Sequence, residues 1–457
     1  MQKDVAGMNS EEKRQFLRQL LASAETGKNS GVDQAANRLG AKKKIPDEFY
    51  QFDKFPGFSL IKEQIKTFAA LKLDNPYFSV HDSVSDHVTG FGGKEYINYS
   101  GYNYLGLSGH PDVSKAAKDA IDRYGTSVSA SRIVSGEIPL HRELEKELAK
   151  MHDTEDAVVL VSGYATNVSV IGHLFGPKDL VLHDSLAHNS IITGCILSGA
   201  RRMAFPHNDW QSLDQLLAAN RGRYERVLIV IEGVYSMDGD IADLPEFIRI
   251  KKKYHCLLMV DEAHAAGVIG SRGLGTHDHF AVSGKDVDIW MGTLSKAFAS
   301  CGGYICGSNA LIENIKYNVA GAILFSVGIS PANTAAALAA ARIMQQEPER
   351  SARLRDRASL FLEHAHRNGL DTGLAEGTGV VPIITGNSVA CLKLGQRLMR
   401  AGICVHPILY PAVPESAARL RFFITSNLTE DDVIFTVNTL AREMNVLASA
   451  ECPPVIK

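Results

Sequence analysis

Residues 259–270 read MVDEAHAAGVIG. An apolar run, CLLMV, stops abruptly at Asp261, Glu262 and His264, and small residues and glycine follow. Open α/β sheets bind ligands beyond the carboxyl ends of their strands, so a buried strand ending in ionisable side chains marks where chemistry belongs. The same cadence recurs on either side. AVVLVSG (157–163), LVLHDS (180–185), RMAFPHND (202–209), RVLIVIEGV (226–234), VDIWMGT (287–293) and GGYICGS (302–308) are short runs, several of them apolar at consecutive positions. That pattern suits strands covered on both faces. SLDQLLAANR (212–221) and DLPEFIRIKKKY (243–254) carry helical periodicity between them. The alternation predicts an α/β domain with a mainly parallel sheet. Other strand ends repeat the polar-then-small pattern, at Ser162-Gly163, Glu232-Gly233 and Thr293-Leu294-Ser295-Lys296.

Beyond Pro348 the signal changes to a charged helix (349–369), a strand VVPIIT (380–385), a helix (388–402), a strand RLRFFIT (419–425) and a last helix from Glu430. This predicts a smaller α+β domain. Upstream, Phe16, Leu17, Leu20 and Leu21 sit at helical spacing behind a capping Ser10, and residues 25–44 lack any apolar period. The expected organisation is therefore a helix and linker over 1–44, a lead-in segment over 45–98, a large domain over 99–340 and a small domain over 341–457.

Composition narrows the functional classes. The formal net charge is −3, which supplies no basic field for a polyanion, so nucleic acid is excluded as a default partner. Seven scattered cysteines form no C-x-x-C pair and have no histidine at zinc spacing, which predicts free thiols, a reducing cytoplasm and no metal. No secretory signal and no membrane-spanning apolar run are visible.

The letters Asp261-Glu262-Ala263-His264 invite comparison with nucleic-acid motors, but those need a G-x-x-x-x-G-K-[ST] phosphate loop, and the sequence has none. Glycines 267, 270, 273 and 275 also miss the G-x-G-x-x-G spacing of dinucleotide sites. Lys296 offers a better partner for the aspartate. It follows a buried strand and lies among small and apolar residues, where lysine is rarely found without a role. Burial makes its amine nucleophilic, as a Schiff base requires. A lysine on one strand end and an aspartate on its neighbour suggest pyridoxal phosphate, with the amine on the aldehyde and the carboxylate on the ring nitrogen.

With these motifs the sequence resembles the α-oxoamine synthases, pyridoxal-phosphate enzymes of fold type I. The likeness runs from about Tyr99 to Thr429 through SGYNYLGL (100–107), GTSVSASRIVSGEIPLHRELE (125–145), VSGYATN (161–167), HDSLAHNS (183–190), EGVYSMDGDIADLP (232–245), VDEAHAAGVIGSRGLG (260–275), GTLSKAFASCGGYICG (292–307) and RLRFF (419–423). It implies a large domain with a mainly parallel seven-stranded sheet, and a decarboxylative condensation of a small amino acid with an acyl thioester. Another fold-type-I activity, an aminotransferase or a lyase, is the alternative.

The resemblance also implies individual roles. His188 would stack on the cofactor ring and polarise the thioester carbonyl; Asp261 would hold the pyridinium, and His264 and Ser236 the phenolic oxygen. Gly163, Tyr164 and Thr293 would hold the phosphate, and Lys296 would carry the aldehyde and then the Cα proton. Asn103 and Arg421 would hold the substrate carboxylate, with Arg419 as the competing candidate on the same strand face. Ser131 occupies a position that admits alanine, serine or glycine as substrate. Val327 stands where the family has a second hydroxyl, so a phosphate contact from the partner subunit of a homodimer would fall on Ser326. Leu428 precedes Thr429 where a histidine is usual. Residues 55–84 resemble the lead-in of synthases fused to polyketide assembly lines, which implies an acyl carrier protein as donor, docked on the helix around Phe16 and Leu20; acyl-CoA as donor, with that helix packed on the body or dimer, is the alternative.

Overall fold

The computed structural model describes residues 45–451. The expected N-terminal helix and linker lie outside those residues. The chain divides into two compact units between Asn75 and Pro76. In the first, two short 3-10 turns lead into a helix over Pro56–Ala70. Its Phe58, Leu60, Ile61 and Ile65 are exposed, and Phe68 is buried.

The second unit holds thirteen strands among the described residues. These are β1 (Val88–Phe91), β2 (Lys94–Asn98), β3 (Asp156–Leu160), β4 (Leu180–Asp184), β5 (Arg201–Phe205), β6 (Val227–Glu232) and β7 (Leu257–Asp261), followed by β8 (Ile289–Thr293), β9 (Gly303–Gly307), β10 (Val380–Ile384), β11 (Ile403–Cys404), β12 (His406–Ile408) and β13 (Arg419–Phe423). Seven of them form one sheet in the order β3-β9-β8-β7-β6-β4-β5, each matching an apolar run read from the sequence. All pairings are parallel except those of β9, which runs against both neighbours. Two three-stranded sheets complete the unit, β1-β2-β11 and β10-β13-β12. The expected boundary between 98 and 99 falls at the end of β2, and that between 340 and 341 inside the helix Pro331–Gln346.

Apart from the edge strand β5, the large sheet is buried on both sides, which explains its unbroken apolar runs. Val159, Leu182, Ile229, Ile231, Leu258 and Val260 pack into one core, while Val158, Val181, Leu228, Val230 and Met259 pack into the other. Alternate residues of a strand thus feed opposite cores. Each such side chain contributes roughly 1.5–3 kcal/mol when fully buried. Helices enter through capping residues, with Ser162 accepting from the Ala165 N–H, and proline opening the helices at Pro111, Pro139 and Pro331. Since β3, β4, β6, β7 and β8 run in one direction, their carboxyl ends share one edge of the sheet. Among the described residues no helix is long and apolar enough to cross a membrane.

Candidate active site

A cavity of about 280 Å³ opens at that edge, lined by Tyr102, Gly163, Tyr164, Asn167, His188, Glu232, Ser236, Asp261, His264, Thr293, Lys296 and Cys301 among others. Five loops, each leaving a different strand, supply most of these groups. Eight of the twelve residues singled out from the sequence therefore line it. Asn103, Ser131, Ser326 and Arg421 do not.

Asp261 ends β7 and is buried. Its Oδ2 accepts from Asn167 Nδ2 at 2.8 Å and its Oδ1 from the Ala263 N–H at 3.0 Å. Among the described residues it forms no ion pair, so a buried carboxylate faces the cavity without a cation. Glu232, in register beside it on β6, is also buried and accepts from the His188 N–H at 2.6 Å. Burial first, and the Asp261 charge second, raise the Glu232 pKa well above the ordinary carboxylate range. Glu262 points away from the cavity, bonded to both the amide and the hydroxyl of Thr276, and burial pushes its pKa up to about 7. The second acidic letter of the opening motif is structural.

Lys296 follows β8. Its Nζ lies 2.8 Å from His264 Nε2 and 5.8 Å from the centre of the Tyr102 ring. Burial lowers its pKa to about 8, although Asp261 and Glu232 pull upward. His264 is buried too, and burial holds its pKa well below the usual imidazole value. The network assigns its tautomer: an ammonium can only donate, so Nε2 accepts from Lys296 and Nδ1–H faces the Tyr104 hydroxyl at 2.7 Å.

His188 caps the helix Asn189–Ser198, and its Nδ1 accepts from the Ser190 N–H at 3.3 Å. Ser190 Oγ lies 2.7 Å from the same nitrogen and accepts from Asn167 Nδ2 at 2.9 Å. The hydroxyl proton therefore goes to His188, whose own proton sits on Nε2. Burial lowers its pKa and keeps the ring neutral. One side chain thus caps the helix and lines the cavity, because the helix start lies at the cavity.

At the start of the helix Gly163–Leu174, Ser162 takes the Ala165 and Thr166 N–H groups, which leaves the first two amides, of Gly163 and Tyr164, without an intrahelical partner. A Cβ on Gly163 would come within 2.8 Å of Thr293 Oγ1, so the missing side chain leaves an anion cradle between helix end and hydroxyl. Arg419 and Arg421 are now distinguishable. Arg419 is committed to Asp238 at 2.6 Å and to the Met237 and Ala417 carbonyls. Arg421 donates from Nη1 to the Ser236 carbonyl at 3.0 Å, while its buried Nε has no partner among the described residues. The Asn103 amide is occupied by Ser85 and Asp86, each at 3.3 Å, and its oxygen by the Ser108 N–H.

The residues present fit pyridoxal phosphate on three counts: a cation-free buried carboxylate, an amine of lowered pKa, and a glycine-lined anion cradle. Sequence reasoning missed Asn167, Tyr104 and Ser190, which orient Asp261, His264 and His188. All three stand inside motifs quoted above, and polarity within otherwise apolar or small-residue motifs was their signal.

The description "Aminotransferase class I and II" belongs to the family model that matches residues 94–438. The chain is 41% identical over 341 residues to an 8-amino-7-oxononanoate synthase of Symbiobacterium thermophilum, covering 75% of this chain and 86% of that one. It is 42% identical over 353 residues to the enzyme of that name from Geobacter sulfurreducens, covering 77% and 89%. Among solved structures, a serine palmitoyltransferase variant of S. paucimobilis with bound PLP–myriocin aldimine superposes with a TM-score of 0.81 at 28% identity, over 87% of this chain and 99% of that one.

Proposed function

The chain belongs to the aminotransferase class I and II family, and within it to the α-oxoamine synthases; from that premise we propose that it joins a small amino acid to an acyl thioester, with loss of the amino acid's carboxylate, and releases an α-amino ketone. The observation that carries this reading is the meeting, in one cavity, of Lys296 beside a neutral His264 with a buried Asp261 that forms no ion pair among the described residues. When bound, pyridoxal phosphate supplies an electron sink for the carbanion formed at the amino acid's Cα.

The chain's own groups supply the rest. Lys296 Nζ would hold the cofactor through its aldehyde group, and as an amine of lowered pKa it would take and return the Cα proton. Asp261 keeps the ring nitrogen protonated through a charge-assisted hydrogen bond. The Gly163 and Tyr164 amides and the Thr293 hydroxyl hold the phosphate, while Ser236 and His264 face the phenolic oxygen. Arg421 receives the substrate carboxylate, for which its planar fork and unpartnered Nε are suited. His188 presents Nε2–H as a donor to the thioester carbonyl oxygen, where negative charge develops.

Ser326 lies outside its own chain's cavity, in a segment where Leu324, Phe325 and Val327 are exposed, which supports a homodimer whose partner site it completes. A cytoplasmic location, supported by seven scattered cysteines without a C-x-x-C pair, goes with this reading, and the proposed donor is an acyl group on a carrier protein. The lead-in sequence 55–84 and the exposed apolar side chains of Pro56–Ala70 support that choice of donor.

Incubating the loaded enzyme with alanine, serine or glycine and matched acyl donors tests both levels. Carbon dioxide and free thiol should appear together, and only when both substrates are present. Release of a keto acid or an amine from the amino acid alone would overturn the condensation in favour of an aminotransferase or lyase. Equal or faster turnover with acyl-CoA than with acyl carrier protein would overturn the carrier assignment.

A further inference from the structure

Behind the cavity wall, two buried carboxylates share one imidazole. His207 follows β5, and its Nδ1 donates to Asp184 Oδ1 at 3.0 Å. On its other side Nε2 lies 2.9 Å from Asp240 Oδ2, an ion-pair contact too bent to be a hydrogen bond. Asp184 and Asp240 are 0% and 3% exposed, and the Tyr235 ring stands perpendicular to the imidazole with centroids 4.4 Å apart. Asn208 repeats the bridge, its N–H donating to Asp184 Oδ2 at 2.8 Å and its Nδ2 to Asp240 Oδ2 at 2.6 Å. Two consecutive residues thus tie the same two acids together.

The acids are the feet of two site loops. Asp184 ends β4, and its Oδ1 also accepts from the Leu186 N–H at 2.7 Å, two residues before His188. Asp240 closes a turn in which its carbonyl accepts from the Tyr235 N–H at 3.1 Å. That turn carries Ser236 and the carbonyl on which Arg421 rests. The second loop is also closed by a bridge between Val234 and Ile241, and each loop bears a group that lines the same small cavity, His188 on the first and Ser236 on the second.

We propose that His207 is a positioning residue that clamps Asp184 to Asp240 and so fixes the spacing between the loop of His188 and the loop that seats Ser236 and Arg421. The inference rests on the assignment of those three residues to the site. A single cation between two buried anions is what makes the clamp hold. A neutral ring has one N–H to give and would leave one carboxylate uncompensated. Burial pulls the His207 pKa down, and the two acids more than reverse it, to about 10.

His207→Gln keeps a donor but removes the charge, and it should act on both loops at once. In cofactor-free full-length protein, amide hydrogen exchange of peptides covering residues 185–190 and 234–241 should accelerate at least ten-fold, with the helix Glu349–Arg367 unchanged. In the loaded enzyme, the amino-acid concentration that half-saturates the change in cofactor absorbance should rise at least ten-fold. Combining it with Asp240→Asn, which removes the second charge, should recover part of both effects. Wild-type exchange in either loop, or acceleration spread evenly over the chain, overturns the clamp. If His207→Gln does not accumulate in folded form, Asp240→Asn alone is read by the same criteria. Arg421→Ala serves as the control: unchanged amino-acid affinity there faults the site assignment, while the exchange data still decide the clamp.

Discussion

Replacing Asp261 by asparagine preserves volume and removes one charge, so its effect can be worked out from the contacts of that side chain. Asp261 is an acceptor on both oxygens, from Asn167 Nδ2 at 2.8 Å and from the Ala263 N–H at 3.0 Å. An asparagine has one acceptor, and whichever way it turns, its NH2 meets a donor. The lost bond costs about 1–3 kcal/mol for an unsatisfied buried donor. Relief of the repulsion between Asp261 and Glu232 offsets part of this, since the Asp261 charge is one of the causes that raise the Glu232 pKa. For the chemistry there is no such offset. A charge-assisted bond to the ring nitrogen is worth about 1.5–3 kcal/mol, and at 1.36 kcal/mol per decade its loss lowers the protonated fraction of the ring roughly 10- to 150-fold. We therefore expect kcat to fall by at least about ten-fold in Asp261→Asn while the cofactor stays attached through the unchanged Lys296. The assay compares steady-state rates at equal cofactor occupancy, measured after alkaline release of the cofactor. A kcat within three-fold of wild type would falsify the assignment of Asp261 to the ring nitrogen.

Lys296→Ala should leave no covalent cofactor after hydride reduction, whereas wild type retains it; label on the variant in a tryptic map would point to another lysine. In the cofactor-free protein the Lys296 pKa is depressed to about 8, so the folded state disfavours the ammonium. Its contribution to stability should improve as pH rises from about 8 towards the unfolded value near 10.4, and the rate of aldehyde uptake should show its inflection near 8. An inflection above 10 would show the amine to be solvated. Gly163→Val places a Cβ within 2.8 Å of Thr293 Oγ1 and fills the phosphate cradle; cofactor affinity by equilibrium dialysis should drop more than ten-fold, and unchanged binding would remove this helix end from the site. Arg421→Lys substitutes a point charge for a planar fork, so KM for the amino acid should rise about ten-fold or more with a smaller change in kcat; the reverse split would mean that Arg421 acts on chemistry instead of binding.

Much of this was legible in the sequence because strands buried on both faces leave an unmistakable apolar run, and because a run that stops at Asp261 or just before Lys296 has few structural explanations. Six of the seven strands of the large sheet announced themselves in this way; β5 opens with Arg201-Arg202 and buries only Phe205. The antiparallel course of β9 did not, since GGYICGS is as apolar as its parallel neighbours and direction depends on the connection between β8 and β9. The short strands β11 and β12 were equally silent, being two and three residues long. At the site, residues acting through charge were easier to find than those acting through orientation. Asn167 and Ser190 matter only because the fold brings 167, 190 and 261 within bonding distance, a juxtaposition no local spacing encodes. The choice between Arg419 and Arg421 likewise required the position of Asp238, on a loop some 180 residues away.

The amide of Asn167 donates one proton towards Asp261 and one towards Ser190, and so sets the direction of every hydrogen between the carboxylate and the imidazole. An aspartate in its place would have nothing to give. The serine hydroxyl would swing round to serve it, His188 would have to supply its own proton at Nδ1, and the edge turned to the substrate would become a lone pair. Nitrogen chemical shifts of that ring in Asn167→Asp should register the exchange of tautomers, and identical shifts would refute it. On the proposed reading, a residue that never meets the acyl group thus decides whether His188 offers it a donor or an acceptor.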